Sequence, residues 1–132
     1  MDATLTDLVD RVDRMIDAPD PDARWRTVVA ERVRELRAAW VVHHVSSDGD
    51  GGLHHDLAEA EPRVSPLVRR LRDDSQRLIE CCDFSLAALR RTDAPVGEMQ
   101  HALRELVAQA RRYRAHATSA TYEAVSVDLG RG

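Results

Sequence analysis

The fold is set by the stretch from Val28 to His44, which reads VVAERVRELRAAWVVHH. Its apolar residues recur every three or four positions, which is the spacing of one face of an α-helix. The pattern predicts a helix that begins near Ala23, and a step of four residues beyond Trp40 places His44 on the same face. The stripe that this helix turns toward the core is Val29, Val33, Leu36 and Trp40, with Val28 and Val41 beside it.

A shorter amphipathic helix precedes this one, and the proline-containing run DAPDPD at 17–22 ends it. After the second helix, residues 46–52 break the helical pattern with a serine pair and a glycine-rich turn. Leu53 to Glu61 are then predicted to form a short helical segment that Pro62 stops. The apolar stripe of the first helix consists of Leu5, Leu8, Val9, Val12, Met15 and Ile16.

Two long helices are predicted in the second half of the chain, one from about Ser65 to Arg91 and one after the turn at 92–96. Four amphipathic helices with short connections indicate an all-α protein, an antiparallel up-down four-helix bundle with a short extra segment after the second helix. The two long stripes are Leu67, Leu71, Leu78, Cys82, Leu86 and Leu89, followed by Met99, Leu103, Leu106, Ala110, Tyr113, Ala117 and Ala120 or Thr121.

The composition favours one helical domain over residues 1–132, because 43% of the residues are hydrophobic and only 4% are aromatic. All 19 basic residues are arginines dispersed among 23 acidic residues, which is typical of a solvated surface rather than a nucleic-acid-binding patch. The adjacent Cys81 and Cys82 are predicted to be packing residues without a chemical role. No apolar run is long enough for a membrane helix, and the N-terminus has no secretion-signal features, so we expect a cytoplasmic monomer or homodimer.

The block from Val42 to Asp56 contains four of the six histidines of the chain. Histidine and carboxylate side chains at the end of a helix are the usual components of a metal site. By helical phase His44 points inward, and Asp48 shares its face if the helix continues through Ser47. The other histidines of the block, His43, His54 and His55, are expected to take no part in a site.

Polar residues interrupt the apolar stripes of three helices at His44, Ser75 and Tyr113. Inside a bundle these interruptions form a polar layer across one end of the core, where bundles hold metals, cofactors or small ligands. The predicted pocket residues are Trp40, Ser75, Tyr113 and Ala117. His44 beside Asp48 is a candidate general base and Tyr113 a candidate proton donor, although a hydrogen-bonded cluster without catalytic value has the same pattern.

Several spacings together resemble the hemerythrin-like, or HHE cation-binding, family, and in particular a bacterial branch of it. The resemblance covers residues 23–130 and implies a four-helix bundle that holds two irons and binds oxygen or responds to oxidants. The residues that carry it are His44, Asp48, Gly51, Gly52, Pro62, Leu71 and the tail Asp128-Leu129-Gly130.

The chain departs from this family at three ligand positions. Ser75 stands where the family has a histidine of the third helix, and Tyr113 and Ala117 stand where it has a His-x-x-x-Glu pair. We therefore predict a reduced site that binds one cation, iron above all, or a small molecule, with His44, Asp48 and His116 as candidate metal ligands. The alternatives are a metal-free descendant that is a cofactor-independent enzyme or a small-molecule-binding protein, and a helical interaction module or homodimer that uses Trp25, Trp40 and the first helix.

Overall fold

The structure, a computed structural model, describes residues 3–18, 20–48, 52, 54–55 and 65–131. Within these ranges the regular structure is entirely helical and contains no strand. The four helices are α1 (Ala3–Ile16), α2 (Ala23–Asp48), α3 (Ser65–Arg90) and α4 (Val96–Arg131). The predicted all-α class and the four helices, of which the first is the shortest, are confirmed, while α2 continues through Ser46 and Ser47 to Asp48, beyond its predicted end.

The predicted short helix between α2 and α3 lies largely outside the described residues. His54 and His55 are described and are helical. The rest of the segment from Leu53 to Glu61, with Pro62, is outside the described residues, so its extent stays a prediction.

The connection between α1 and α2 is closed by hydrogen bonds that the sequence explains. Asp22 precedes α2, and its Oδ1 accepts a hydrogen bond of 2.9 Å from the backbone N–H of Trp25, which makes it the N-cap of the helix. The indole Nε1 of Trp25 donates 2.7 Å to the carbonyl of Met15 in the last turn of α1. The side-chain amide of Gln100 donates 2.9 Å to the carbonyl of Ile16. The end of α1 is thus bonded to both α2 and α4.

The helices pack around one core, and each helix contacts two of the other three. Helix α1 contacts α2 and α4, and α3 contacts the same two helices. Helices α2 and α4 therefore lie across the core from each other, an arrangement consistent with a four-helix bundle. The predicted stripe of α2 is confirmed, since it has no exposed surface at any of its four members, Val29, Val33, Leu36 and Trp40.

Both tryptophans belong to this core. Trp40 has no exposed surface and Trp25 exposes only 7% of its own. Trp25 and Trp40 therefore do not form the predicted interaction surface, because helical phase directs both indoles inward. The exposed aromatic side chains among the described residues are Phe84 and Tyr122.

Arginines on the outer faces pair with carboxylates of neighbouring helices. Arg111 Nη2 lies 2.9 Å from Asp13 Oδ2, Arg37 Nε lies 2.6 Å from Asp83 Oδ1, and Arg104 is also paired with Asp17. Exposed ion pairs of this kind contribute about 0–1 kcal/mol each, so stability rests mainly on the apolar core. No helix in the described ranges combines the length and the apolar character needed to cross a membrane.

The first test of this core is the substitution Leu36→Ala. Leu36 is completely buried, so removing its side chain should lower the free energy of unfolding by about 2–5 kcal/mol. Val45→Ala on the same helix is the control, because Val45 is 67% exposed and its loss should change stability by at most about 0.5 kcal/mol. Urea unfolding of both variants measures the difference, and equal effects would contradict the assignment of the core.

A second test uses the buried thiol of Cys82. Burial, with smaller contributions from Cys81 and Asp83, raises the pKa of this thiol from 9.0 to about 12. The unfolded chain therefore loses a proton above pH 9.0 that the folded chain keeps until about pH 12, and stability should fall as the pH rises through this window.

The variant Cys82→Ala should remove this contribution. In urea unfolding between about pH 9 and 12 the wild type should lose stability more steeply than the variant, by about 1 kcal/mol per pH unit. Arginines and tyrosines also titrate at high pH but are common to both proteins. Parallel curves would show that the Cys82 thiol has an ordinary pKa.

Candidate functional site

The centre of the candidate site is the hydroxyl group of Tyr113 in α4. Tyr113 has no exposed surface, and its hydroxyl oxygen lies 2.9 Å from Nε2 of His43 and 2.8 Å from Nε2 of His54. His54 is also completely buried, whereas His43 is half-buried. We refer to His43, His54 and Tyr113 as the Tyr113 triad.

The proton inventory of the triad is constrained. A neutral phenol has one hydrogen to donate, yet the Tyr113 hydroxyl makes two contacts of hydrogen-bond length. At least one of the two histidines must therefore carry a proton on Nε2 and donate it to the phenol oxygen. The three side chains form a continuous His–Tyr–His hydrogen-bonded array in which a proton can be redistributed.

Aromatic packing holds the triad in place. The rings of Trp40 and Tyr113 meet edge to face with centroids 5.0 Å apart, and Trp40 lies 5.1 Å from the ring of His43. The rings of His43 and Tyr113 are nearly perpendicular, at 89°. Such edge-to-face contacts are favourable for aromatic rings. Trp40 thus forms an apolar wall that limits the positions open to His43 and Tyr113.

A second polar cluster surrounds the completely buried Ser75 of α3. The indole Nε1 of Trp40 donates to Ser75 Oγ at 3.0 Å and to the Ser75 carbonyl at 3.2 Å. Nδ1 of His44 lies 2.8 Å from the same Ser75 Oγ. His44 and Ser75, two members of the predicted polar layer, are therefore in contact, and Trp40 joins their cluster to the Tyr113 triad.

His116 belongs to a third cluster, between α3 and α4. Its Nδ1 lies 2.6 Å from Oδ2 of Asp74, whose side chain is only 8% exposed. The side-chain amide of Gln109 donates 3.1 Å to the Asp74 carbonyl. The imidazole of His116 therefore provides the buried Asp74 carboxylate with a hydrogen-bonding partner.

The candidate metal ligands named from the sequence have separate surroundings. His44 contacts Ser75, and His116 contacts Asp74. Asp48 is the last residue of α2, and its side chain lies outside the described part of the chain. Among the described residues, no group of three or more His, Cys, Asp or Glu side chains is placed to hold a metal ion. Of the predicted pocket residues, Trp40, Ser75 and Tyr113 are linked as above, and Ala117 is buried one turn beyond Tyr113.

From the sequence His43 and His54 are expected to take no part in a site, but both contact Tyr113, one of the predicted pocket residues. His43 follows Trp40 by three positions, and a helix face includes steps of three as well as four residues, so His43 also reaches the core. The position of His54 is related to the close approach of Gly52 to α2. A Cβ atom on Gly52 would lie 2.0 Å from the carbonyl oxygen of Ser46 and 2.6 Å from that of Ser47. The chain therefore passes directly against the end of α2, which brings His54 over the end of the core.

A cleft gives access to the triad from one side. It has a volume of about 390 Å³ and lies between α1 and α2. Among the described residues its lining combines apolar and hydroxyl side chains with the imidazole of His43, and consists of Thr4, Leu5, Ala39, Val42, His43 and Ser46. A molecule in this cleft would contact His43 first, because His54 and Tyr113 are buried behind it.

Comparisons of this chain with protein-family models, with curated proteins and with solved structures found no match. The resemblance to the hemerythrin-like family therefore stays a prediction from the sequence spacings.

The triad is tested by Tyr113→Phe, which removes only the hydroxyl group. The two histidines lose their shared partner in a buried place, so the free energy of unfolding should fall by about 1–3 kcal/mol in metal-free buffer. Tyr122→Phe is the matched control, because Tyr122 is 72% exposed and its change should stay within about 0.5 kcal/mol. If the two variants were equally stable, the hydroxyl contacts would contribute nothing to folding.

Proposed function

We propose that this chain is a hemerythrin-like protein of the bacterial cytoplasm, an antiparallel up-down bundle that binds one iron ion at the Tyr113 triad. Two contacts between α3 and α4 support the antiparallel arrangement. Asp74 of α3 pairs with His116 of α4, and Ser85, farther along α3, donates to the carbonyl of Ala102, which comes earlier in α4. The two helices therefore run in opposite directions. In this proposal the bound iron is the group that reacts in the predicted response to oxidants.

The observation that carries this proposal is the convergence of three donor atoms. Neutral imidazole nitrogen is the commonest protein ligand of metals, and tyrosine oxygen binds ferric iron in some enzymes. Two ligands at right angles on bonds of about 2.0–2.1 Å lie about 2.9 Å apart. The Tyr113 oxygen lies 2.9 and 2.8 Å from the two Nε2 atoms, which are normal hydrogen-bond lengths and are also compatible with two edges of such a coordination shell.

The two-iron centre of the resembled family does not fit the donors of the described residues. Ser75 and Ala117 stand at two of its ligand positions, and neither supplies an imidazole or a carboxylate. His44 and His116 are hydrogen-bonded in other clusters. A single ion fits the His43, His54 and Tyr113 set better, and a bound iron supplies the one-electron redox change that an oxidant response requires.

The surrounding residues suit this role. Trp40 shields the triad from the core side and keeps two of its rings perpendicular. His43 borders the cleft between α1 and α2, so it is the donor that an arriving ion or oxidant meets. The hydrogen-bonded array holds the donor atoms together before an ion binds, which lowers the cost of assembling the site.

A second candidate function, a metal-free small-molecule-binding protein or cofactor-independent enzyme, is favoured by the same cleft. Its volume of about 390 Å³ is in the range of small-molecule pockets. A ligand there could exchange a proton with His43, while Tyr113 and His54 redistribute the charge behind it. In this case the triad would act without metal.

The test is metal binding by the full chain purified without an affinity tag. Calorimetric titration with ferrous iron and elemental analysis should find about one ion per chain. His43→Ala and His54→Ala should each weaken binding by at least about 10–100-fold, because each removes a ligand. After the bound iron is oxidised to the ferric state by air, Tyr113→Phe should lack the visible charge-transfer band that a ferric–phenolate complex produces.

Two matched controls separate this site from the one named from the sequence alone. His101→Ala removes an exposed histidine of α4, and His44→Ala removes the partner of Ser75; both should leave iron affinity unchanged. Loss of binding in His44→Ala and His116→Ala, with normal binding in His43→Ala, would instead locate the ion at the residues named first. Protein that binds no metal, but loses ligand binding or turnover in His43→Ala, would support the metal-free candidate.

A further inference from the structure

Phe84 is the single phenylalanine of the chain, and 64% of its surface is exposed. It lies on the outer side of α3, next to the contact between α3 and α4, where Ser85 bonds to Ala102. A partner that covered this ring, together with the apolar surface beside it, would remove apolar area from water. Neither the fold nor the Tyr113 triad gives Phe84 a role, since it lies outside both the core and the triad.

Phe84 borders a cavity of about 270 Å³. Cys81 and Ala102 supply apolar surface, while charged side chains stand around it. Cys81 is half-buried, and the adjacent Cys82 is completely buried. The surface formed by these residues, called the Phe84 face below, consists of Arg77, Glu80, Cys81, Phe84, Ala102 and Glu105.

The charges of the Phe84 face are of both signs. Arg77 is positive, and Glu80 and Glu105 are negative. A contact between two identical copies about a two-fold axis presents each surface to itself, so a charged patch is compatible with it when the patch carries both signs. A strongly acidic or basic partner would find a like charge in this patch and be disfavoured. The mixture therefore favours a second copy of the same chain.

The spacing along α3 fits a two-fold contact. Arg77 and Phe84 are separated by seven residues, or about two helical turns, and so lie on one face of the helix. Glu80 and Cys81 stand midway between them. An axis that passes near Cys81 would place Phe84 of one copy beside Arg77 of the other, where the guanidinium can lie over the phenyl ring.

We propose that two copies of this chain associate through the Phe84 face, with Phe84 of each copy inserted into the cavity of the other. The contact covers the exposed phenyl ring, places Arg77 of each copy over the ring of the other, and brings the two Cys81 thiols close to the axis. It shares no residue with the Tyr113 triad.

The test is sedimentation of the full chain over a range of concentrations up to millimolar. The wild type should show a reversible monomer–dimer equilibrium, and Phe84→Arg should raise the dimer Kd at least about tenfold. Phe84→Leu keeps an apolar side chain and should weaken the dimer less. Tyr122→Arg is the control, because it changes another exposed aromatic residue, outside the face, and should leave the Kd unchanged.

A cross-linking experiment locates the contact independently. A short bismaleimide should join two copies through Cys81 in the wild type and fail in Cys81→Ser, while the buried Cys82 stays unreacted. Burial raises the pKa of the Cys81 thiol, so the reaction is run at mildly alkaline pH.

A wild type that is monomeric at every concentration would overturn the proposal. So would a dimer that survives Phe84→Arg with its affinity unchanged. Circular dichroism of Phe84→Arg should match the wild type, because the side chain is exposed. Iron titration of the same variant should be normal, which keeps failure of this proposal separate from failure of the proposed iron site.

Discussion

The polar organisation of this protein depends on one constraint, which is that the hydroxyl group of Tyr113 is buried and must be hydrogen-bonded. A buried hydroxyl group without a hydrogen-bond partner lowers the stability of the fold, and Tyr113 of α4 is completely buried in the core of the bundle. Its partners come from the last turns of α2 and from the segment beyond that helix. The hydroxyl oxygen of Tyr113 in α4 thus contacts a side chain of α2, although α2 and α4 are not neighbours. It also contacts His54, which lies in the connection after α2.

The burial of α2, α3 and α4 could be predicted because helical periodicity is a local property of the sequence. Val29, Val33, Leu36 and Trp40 needed only their spacing to be placed inside. The site was harder because it depends on where separate helices meet. Helical phase predicted only that His44 points inward, whereas the structure pairs it with Ser75, and His43, which lies three positions from Trp40, also reaches the core. His54 could not be placed from periodicity, because it lies in the connection after α2, where Gly52 approaches the backbone of Ser46 and Ser47 closely.

Polar groups that a sequence places in one layer can divide into several clusters when each finds its own partner. Here His44 turns to Ser75, His116 to Asp74, and His43 with His54 to Tyr113. Among the described residues, the last of these clusters brings together two imidazoles and a phenol. Trp40 touches two of the clusters, and its indole nitrogen bonds to Ser75 while its ring packs on Tyr113. A change at Trp40 would therefore be transmitted to both.

The close approach of Gly52 to the end of α2 gives this residue an influence that its chemistry does not suggest. Any larger residue would bring its Cβ within 2.0 Å of the Ser46 carbonyl, and the chain would have to move away from the helix. His54 follows two residues later and would move with it, while the four helices could keep their packing. A residue with no side chain thus influences how deeply the imidazole of His54 reaches into the core. A substitution at this position could shift the geometry of the Tyr113 triad without altering any of its three side chains.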